Sequence, residues 1–180
     1  AFAEFYTSRL AGTDFDRLSY YHDVELELVD RATVERDPES ILAAAEETDV
    51  AFVTAGDTMI STTHVDLRLR AHNRGIHTRI VHGTTAETAA ASLTGLQNYR
   101  FGKATTLPFA AAHGGEGVPD SVVETVRDNR ERGLHTLVYL DIKVDDPAWD
   151  GEETFLTADR AAGCLAQPFP DAPGGVGARA

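Results

Sequence analysis

Residues 50–57, Val-Ala-Phe-Val-Thr-Ala-Gly-Asp, decide the fold that this sequence predicts. The first five form a continuous apolar run, which is typical of a strand buried on both faces of a parallel sheet. Gly56 and Asp57 end that strand, and a helix is predicted to follow. A second strand at residues 76–81 and a second helix at residues 84–93 complete the pattern. Strand, loop, helix and strand form a βαβ unit, so the sequence predicts an α/β fold with a mostly parallel sheet.

The rest of the chain carries similar but weaker signals. Residues 24–28 alternate between apolar and acidic side chains, as a half-buried strand does. A helix is predicted to begin with Asp37 as its cap and Pro38 in its first turn. Farther along, the sequence predicts a second sheet from residues 104–109, a helix over residues 121–132 capped by Asp120 and ended by Gly133, a strand over residues 134–142 and a helix over residues 157–166.

The turn at Gly56 and Asp57 is the strongest candidate for a binding site. In open α/β sheets, ligands bind beyond the carboxyl ends of the strands. Gly56 allows the backbone to approach a ligand closely, Asp57 offers a carboxylate, and the start of the next helix offers unpaired N–H groups. The alternative is that Asp57 only caps that helix, and the spacing alone does not decide between the two.

No metal site is predicted. Four histidines, His64, His72, His77 and His82, lie close in sequence. The first two are separated by about two helical turns, and the last two fall on opposite faces of a regular strand. Cys164 is the only cysteine, so a thiolate zinc site would lack ligands, and we interpret this residue as a packing residue.

The charge balance excludes some partners. The 180 residues include 29 acidic and 16 basic side chains, which gives a net charge of −13. A protein that binds nucleic acid by neutralising phosphates has the opposite balance, so we expect no nucleic-acid partner. No apolar run approaches the roughly 20 residues of a membrane helix, and we expect neither a membrane span nor a signal peptide. With Lys103 and Lys143 as the only lysines, the composition favours the cytoplasm of a halophile.

Four long stretches of the chain have unusual and specific sequences. They are AEFYTSRLAGT at residues 3–13, VAFVTAGDTMISTTHVDLRLRA at 50–71, IVHGTTAETAAASLTGLQNYRFGKATTLP at 80–108 and ERGLHTLVYLDIK at 131–143. These stretches resemble the archaeal diphthine synthases, and the acidic composition suggests haloarchaeal members. That family consists of methyltransferases of the tetrapyrrole-methylase fold class. The resemblance covers almost the whole chain and is far more specific than a single glycine loop.

The resemblance implies two α/β domains of the tetrapyrrole-methylase type with S-adenosylmethionine (SAM) in the cleft between them. It divides the chain into residues 1–103, an N-terminal domain without its first strand, and residues 104–180, the first part of a C-terminal domain. The family begins with a strand and a GLGL-type loop that contacts SAM, and it continues past Ala180. We therefore expect a fragment that lacks both ends and has weak or absent activity alone, because an exposed sheet edge would remain.

The resemblance also implies the reaction. Members transfer methyl groups from SAM to the modified histidine of translation elongation factor 2, and they trimethylate its amino group to form diphthine in diphthamide biosynthesis. They form cytoplasmic homodimers and use no metal. Methyl transfer from a sulfonium is an in-line displacement that needs a well-placed free amine, which fits a sequence without a recognisable catalytic triad. The sequence assigns no catalytic base.

Carried over residue by residue, the family's SAM contacts fall on six positions. These are Asp57, Ile60, Thr85, Ala86, Leu140 and Ala180. The first two belong to a GDxxI loop, the next two begin the following helix, and the fifth lies in the YLDIK strand. Thr58 stands where the family usually has proline, which weakens the expected rigidity of the loop.

Two alternative functions remain open. A tetrapyrrole methyltransferase of the same fold would methylate a precorrin or uroporphyrinogen. A non-catalytic acidic binding module would recruit a basic partner and would transfer no methyl group, even with both ends restored.

Overall fold

The structure is a computed structural model that describes residues 1–8, 12–13, 15–113, 117–143 and 154–166. In chain order its elements are β1 (Phe2–Glu4), α1 (Phe15–His22), β2 (Glu27–Leu28), α2 (Arg31–Glu35), α3 (Glu39–Glu47), β3 (Phe52–Thr54), α4 (His64–Asn73), α5 (Ala86–Thr94), a 3₁₀ helix (Asn98–Arg100), β4 (Thr105–Leu107), α6 (Ala110–His113), α7 (Asp120–Glu131), β5 (Val138–Leu140), β6 (Ile142–Lys143), β7 (Thr154–Phe155) and α8 (Ala158–Leu165). The alternation of strands and helices confirms the predicted α/β class.

The described residues fall into two compact units. Unit 1 contains those of Ala1–Leu96 and Ile142–Thr154, and unit 2 contains those of Gln97–Asp141 and Phe155–Ala180. The division of the protein into domains at residues 103 and 104 stays a prediction.

Unit 1 is built on a parallel sheet with the strand order β2-β1-β3. Phe2 of β1 lies opposite Glu27 on one side and opposite Phe52 on the other, and Glu4 lies opposite Thr54. The strand predicted at the start of the 50–57 stretch is therefore confirmed as a parallel strand. Its residues are half-buried rather than fully buried. One edge of β3 pairs with β1, and within the described ranges no strand pairs with the other edge.

The core of unit 1 is formed by buried side chains from β1 and the segment just after it, from the helices α2 to α4, and from the segment between β2 and α2. They are Phe2, Tyr6, Val29, Val34, Ile41, Leu42, Leu67 and Ala71. Burial of each larger apolar side chain contributes about 1.5–3 kcal/mol relative to exposure. This packing holds the helices against the sheet and so fixes the positions of the strand ends.

The predicted strand at residues 76–81 is wrong, because the structure assigns no strand there. Ile76, Thr78 and Ile80 are half-buried, while His77 and Arg79 between them are exposed. The side chains thus alternate as they do in a strand, but a strand also needs a hydrogen-bonded neighbour. No described strand pairs with this segment.

Two predicted helix caps are also wrong. Pro38 rather than Asp37 is the N-cap of α3, and Pro119 rather than Asp120 is the N-cap of α7. Neither proline forms a side-chain capping bond, because its ring carries no acceptor. The predicted end of α7 is confirmed: Gly133 has φ +67°, a left-handed conformation that favours glycine after a helix.

Unit 2 contains a second parallel pair, β4 and β5, in which Leu107 lies opposite Leu140. The second sheet predicted from residues 104–109 is therefore confirmed. Asn129 of α7 is only 3% exposed and fastens the helix to this sheet. Its Nδ2 donates to the carbonyl oxygen of Lys103 at 2.8 Å and to Oγ1 of Thr136 at 2.9 Å, and its Oδ1 accepts from the Lys103 N–H at 3.2 Å.

Candidate functional site

The loop that follows β3 in unit 1 is a tight turn organised by Asp57; we call residues 56–60 the 56–60 loop. Gly56 has φ +82°, which glycine adopts without strain. Oδ1 of Asp57 accepts from the N–H of Met59 at 2.9 Å, and the N–H of Ile60 donates to the Asp57 carbonyl oxygen at 3.3 Å. The alternative reading of Asp57 as the helix cap is wrong, because α4 begins later with Thr63 as its N-cap.

The second carboxylate oxygen of Asp57 binds a histidine that is distant in sequence. Oδ2 lies 2.8 Å from Nδ1 of His82. The Asp57 side chain is 6% exposed, whereas the His82 side chain is 75% exposed. The Met59 N–H, and after it His82, hold the pKa of the Asp57 carboxyl below its ordinary value. Asp57 is therefore an anchored anion that holds an exposed imidazole in a fixed orientation.

Near this pair, the backbone at Gly56 lies in very close contact with the backbone at Gly83 and Thr84. A Cβ added at Gly83 would lie 2.0 Å from the Gly56 carbonyl oxygen, and one added at Gly56 would lie 3.6 Å from the Thr84 carbonyl oxygen. Only a residue without a side chain fits position 83. We call residues 82–86 the 82–86 segment, and it lies directly against the 56–60 loop.

The 82–86 segment leads into the N-terminus of α5. Oγ1 of Thr85 accepts from the N–H of Glu87 at 2.9 Å, so Thr85 is the N-cap. Ala86, the first residue of the helix, is exposed. The first turn of a helix presents N–H groups and a partial positive charge to its surroundings.

The structure brings four of the six predicted SAM contacts into the two contacting segments. Asp57 and Ile60 lie in the 56–60 loop, where Ile60 is 41% exposed, and Thr85 and Ala86 lie in the 82–86 segment. Leu140 is half-buried in β5 of unit 2. The sixth position, Ala180, lies outside the described residues. The assignment of all six residues to SAM stays a prediction.

A buried polar pair that was not predicted from the sequence lies at the same end of the sheet. Glu4, the last residue of β1, is fully buried and accepts from the Thr7 N–H at 3.1 Å and from the Thr7 hydroxyl at 2.5 Å. Nε2 of His64 lies 3.4 Å from Oε1 of Glu4. Burial lowers the pKa of His64, and the Glu4 charge opposes that shift. The feature of the sequence that could have pointed to this pair is a carboxylate at the end of a short strand that begins with an aromatic residue.

In the sequence, His64 and His82 stand out only as possible metal ligands. Among the residues that the structure describes, no group of three or more His, Cys, Asp or Glu side chains is arranged to hold a metal ion. Within the same ranges, no helix has both the length and the apolar character needed to cross a membrane.

The chain matches a known protein family over most of its length. Residues 10–163 match the family model of the tetrapyrrole (corrin/porphyrin) methylases. The chain is 68% identical over 180 residues to the diphthine synthase of Haloarcula marismortui and 66% identical over 183 residues to that of Halorubrum lacusprofundi. These alignments cover 99% of this chain in both cases, and 70% and 69% of the respective relatives.

The fold is similar to that of a solved structure with the same name. A crystal structure of diphthine synthase superposes with a TM-score of 0.76 at 29% identity, covering 91% of this chain and 59% of the solved one. The chain thus spans about 70% of the length of the haloarchaeal relatives and 59% of the length of this solved chain.

Proposed function

This chain belongs to the diphthine synthases of the tetrapyrrole methylase family, and from that membership we propose that the whole protein transfers methyl groups from SAM to a protein substrate. The acceptor is the amino group of the modified histidine of translation elongation factor 2, which is trimethylated to diphthine in diphthamide biosynthesis. The family membership supports this proposal directly.

One observation in the structure carries the site assignment. The 56–60 loop follows the carboxyl end of β3 and is joined to the 82–86 segment by the 2.8 Å contact between Asp57 and His82. The carboxyl ends of parallel strands are where open α/β sheets bind small ligands. The resemblance implies four SAM contacts in the same two segments, so both arguments support the same surface as the site.

The residues of this surface fit the chemical groups of SAM. Ile60 offers an exposed apolar contact, and the first turn of α5 after Thr85 offers backbone donors. Asp57 offers carboxylate lone pairs beyond those used by Met59 and His82. We propose that these residues, together with Ala86, bind the cofactor. Leu140 and Ala180 are proposed as further contacts on the basis of the resemblance.

In this proposal, the residues of this surface bind SAM and orient it. SAM supplies an electrophilic methyl group, so no metal is needed in this proposal. The close Gly56–Gly83 backbone contact restricts the movement of the loop, which carries Thr58 in place of the family's usual proline. Orientation alone can supply several kcal/mol of a displacement barrier, up to about 7–11 kcal/mol in well-aligned intramolecular reactions.

We propose a homodimer that acts in the cytoplasm on elongation factor 2, without direct contact with nucleic acid or a membrane. The net charge of −13 supports the absence of a nucleic-acid partner.

A second candidate function is methylation of a tetrapyrrole, and the observation that favours it is the match over residues 10–163 to a family named for such substrates. A protein acceptor is better supported, because the relatives at 66–68% identity have the narrower name.

The proposal is tested with the protein translated from the complete reading frame that contains this chain. SAM binding is measured by calorimetry in molar KCl, and an Asp57→Ala variant is compared with a His77→Gln variant as the control. We expect the aspartate variant to bind SAM at least tenfold more weakly and the control to match the wild type. Absence of SAM binding by the wild type would refute the proposal.

A further inference from the structure

The contact with Asp57 uses one ring nitrogen of His82 and leaves the other able to accept a proton. Nδ1 lies 2.8 Å from Asp57, and three quarters of the side chain is exposed. Within the described parts of the chain, Nε2 has no hydrogen-bond partner and Asp57 is the charged group that contacts the ring. The imidazole therefore presents Nε2 outward from the surface that we propose for SAM.

The Asp57 carboxylate also determines which nitrogen of the ring carries the proton. An ionised carboxylate only accepts hydrogen bonds, so the neutral ring must carry its hydrogen on Nδ1. Asp57 cannot easily rotate away, because Oδ1 is bound by the Met59 N–H at 2.9 Å. The depressed pKa of the Asp57 carboxyl keeps it ionised near neutral pH. Nε2 is left with its lone pair free, as a proton acceptor requires.

We propose that His82 is the general base of the methyl transfer and that Asp57 is its positioning residue. This inference rests on the proposed function. The acceptor amine is protonated near neutral pH and has no lone pair with which to attack. In the proposed step its N–H bond breaks, the proton moves to Nε2 of His82, and the electron pair stays on nitrogen. That pair forms the new N–C bond while the S–C bond breaks and its electrons go to sulfur.

The same step explains how several methyl groups can be added at one site. Each transfer regenerates an ammonium with one N–H fewer, and His82 passes each proton to solvent through its exposed ring. After the third transfer the nitrogen carries no N–H and cannot donate to Nε2. The base then has no role, and the hydrogen bond that held the acceptor is lost.

Steady-state methyl transfer to elongation factor 2 tests the role of His82 in the protein from the complete reading frame. His82→Gln is compared with His77→Gln, which changes another exposed histidine of the preceding segment. General-base catalysis contributes about 10²–10⁴-fold, so we expect a loss of that size in kcat near neutral pH. The loss should shrink as pH rises, because the amine then loses its proton to water. SAM affinity should remain within a few fold of the wild type.

The orientation of the ring is tested separately by ¹⁵N NMR of the histidine side chains. In the wild type we expect the Nδ1–H form of His82. Asp57→Asn replaces the acceptor with an amide that can donate to Nδ1, so the variant should switch His82 to the Nε2–H form and lower kcat.

Two results would overturn the inference while leaving the proposed function intact. One is a His82→Gln variant as active as His77→Gln in a wild type that transfers methyl groups. The other is an Nε2–H form of His82 in the wild type. A wild type that neither binds SAM nor transfers a methyl group would overturn the proposed function as well.

Discussion

Replacement of Gly83 by alanine should disrupt the candidate site through a single added methyl group. A Cβ at this position would lie 2.0 Å from the carbonyl oxygen and 2.9 Å from the carbonyl carbon of Gly56. Both are backbone atoms, so no change of rotamer relieves the overlap. The 56–60 loop and the 82–86 segment would have to separate.

The size of the effect follows from these distances. Real Cβ contacts are essentially never shorter than 3.0 Å, and 3.0 minus 2.0 leaves a displacement of at least 1.0 Å. Overpacking of this kind costs about 1–3 kcal/mol. For a chain of this size each kcal/mol lowers the melting temperature by about 2–4 °C, so we expect a decrease of about 2–12 °C. The Asp57–His82 contact should lengthen or break.

Circular dichroism melts in molar KCl measure the stability, and hydrogen exchange at the Met59 amide reports on the loop. The Met59 N–H should exchange faster in the variant, because its acceptor Asp57 moves. Gly163→Ala is the matched control: nothing lies within 4 Å of its added Cβ, and it lies inside α8. Alanine there should stabilise the chain by about 0.5–1 kcal/mol. A Gly83→Ala variant with wild-type melting and exchange would refute the reasoning.

Three further predictions concern local contacts and are measured by unfolding. Gly102→Ala would place its Cβ 2.0 Å from Oδ1 of buried Asn129 and should cost about 1–3 kcal/mol through lost hydrogen bonds; an unchanged melting temperature would contradict this. Burial lowers the pKa of His64 from 6.5, so the unfolded chain binds more protons and the free energy of unfolding should fall as pH drops below that value. A His64→Gln variant should show a flatter pH dependence, and an equally steep one would contradict the assignment. Thr85→Ala should lose the α5 cap at a cost of about 1 kcal/mol, whereas Thr85→Ser should retain it; equal melting of the two variants would contradict the capping role.

Two of the strands could be predicted from short runs of apolar and β-branched residues. The apolar run from Val50 to Thr54 gave the parallel strand β3, and residues 104–109 gave the second sheet. The segment at residues 76–81 alternates between half-buried and exposed side chains, as a strand does, yet it is not a strand. Periodicity reports which side chains face the core, whereas a strand depends on a hydrogen-bonding neighbour elsewhere in the chain. A single sequence does not contain that information.

The candidate site shows the same limit. Gly56 and Asp57 were found because a glycine and a carboxylate follow a strong strand. The partner of Asp57 was not found, because His82 lies 25 residues away in sequence and meets it only after the chain has folded. The need for glycine at position 83 likewise arises from contact with a distant carbonyl group. Short-range patterns in the sequence identified the 56–60 loop, whereas its contacts with the 82–86 segment arise only in the folded chain.

Methyl transfer to elongation factor 2 tests the central claim most directly. The protein from the complete reading frame is incubated in molar KCl with SAM and with elongation factor 2 that carries the modified, unmethylated histidine. Intact-mass spectrometry then measures the acceptor protein. We predict a mass gain of three methyl groups on elongation factor 2 and none on a precorrin or uroporphyrinogen. No gain on the protein, or a gain only on the tetrapyrrole, would contradict the account.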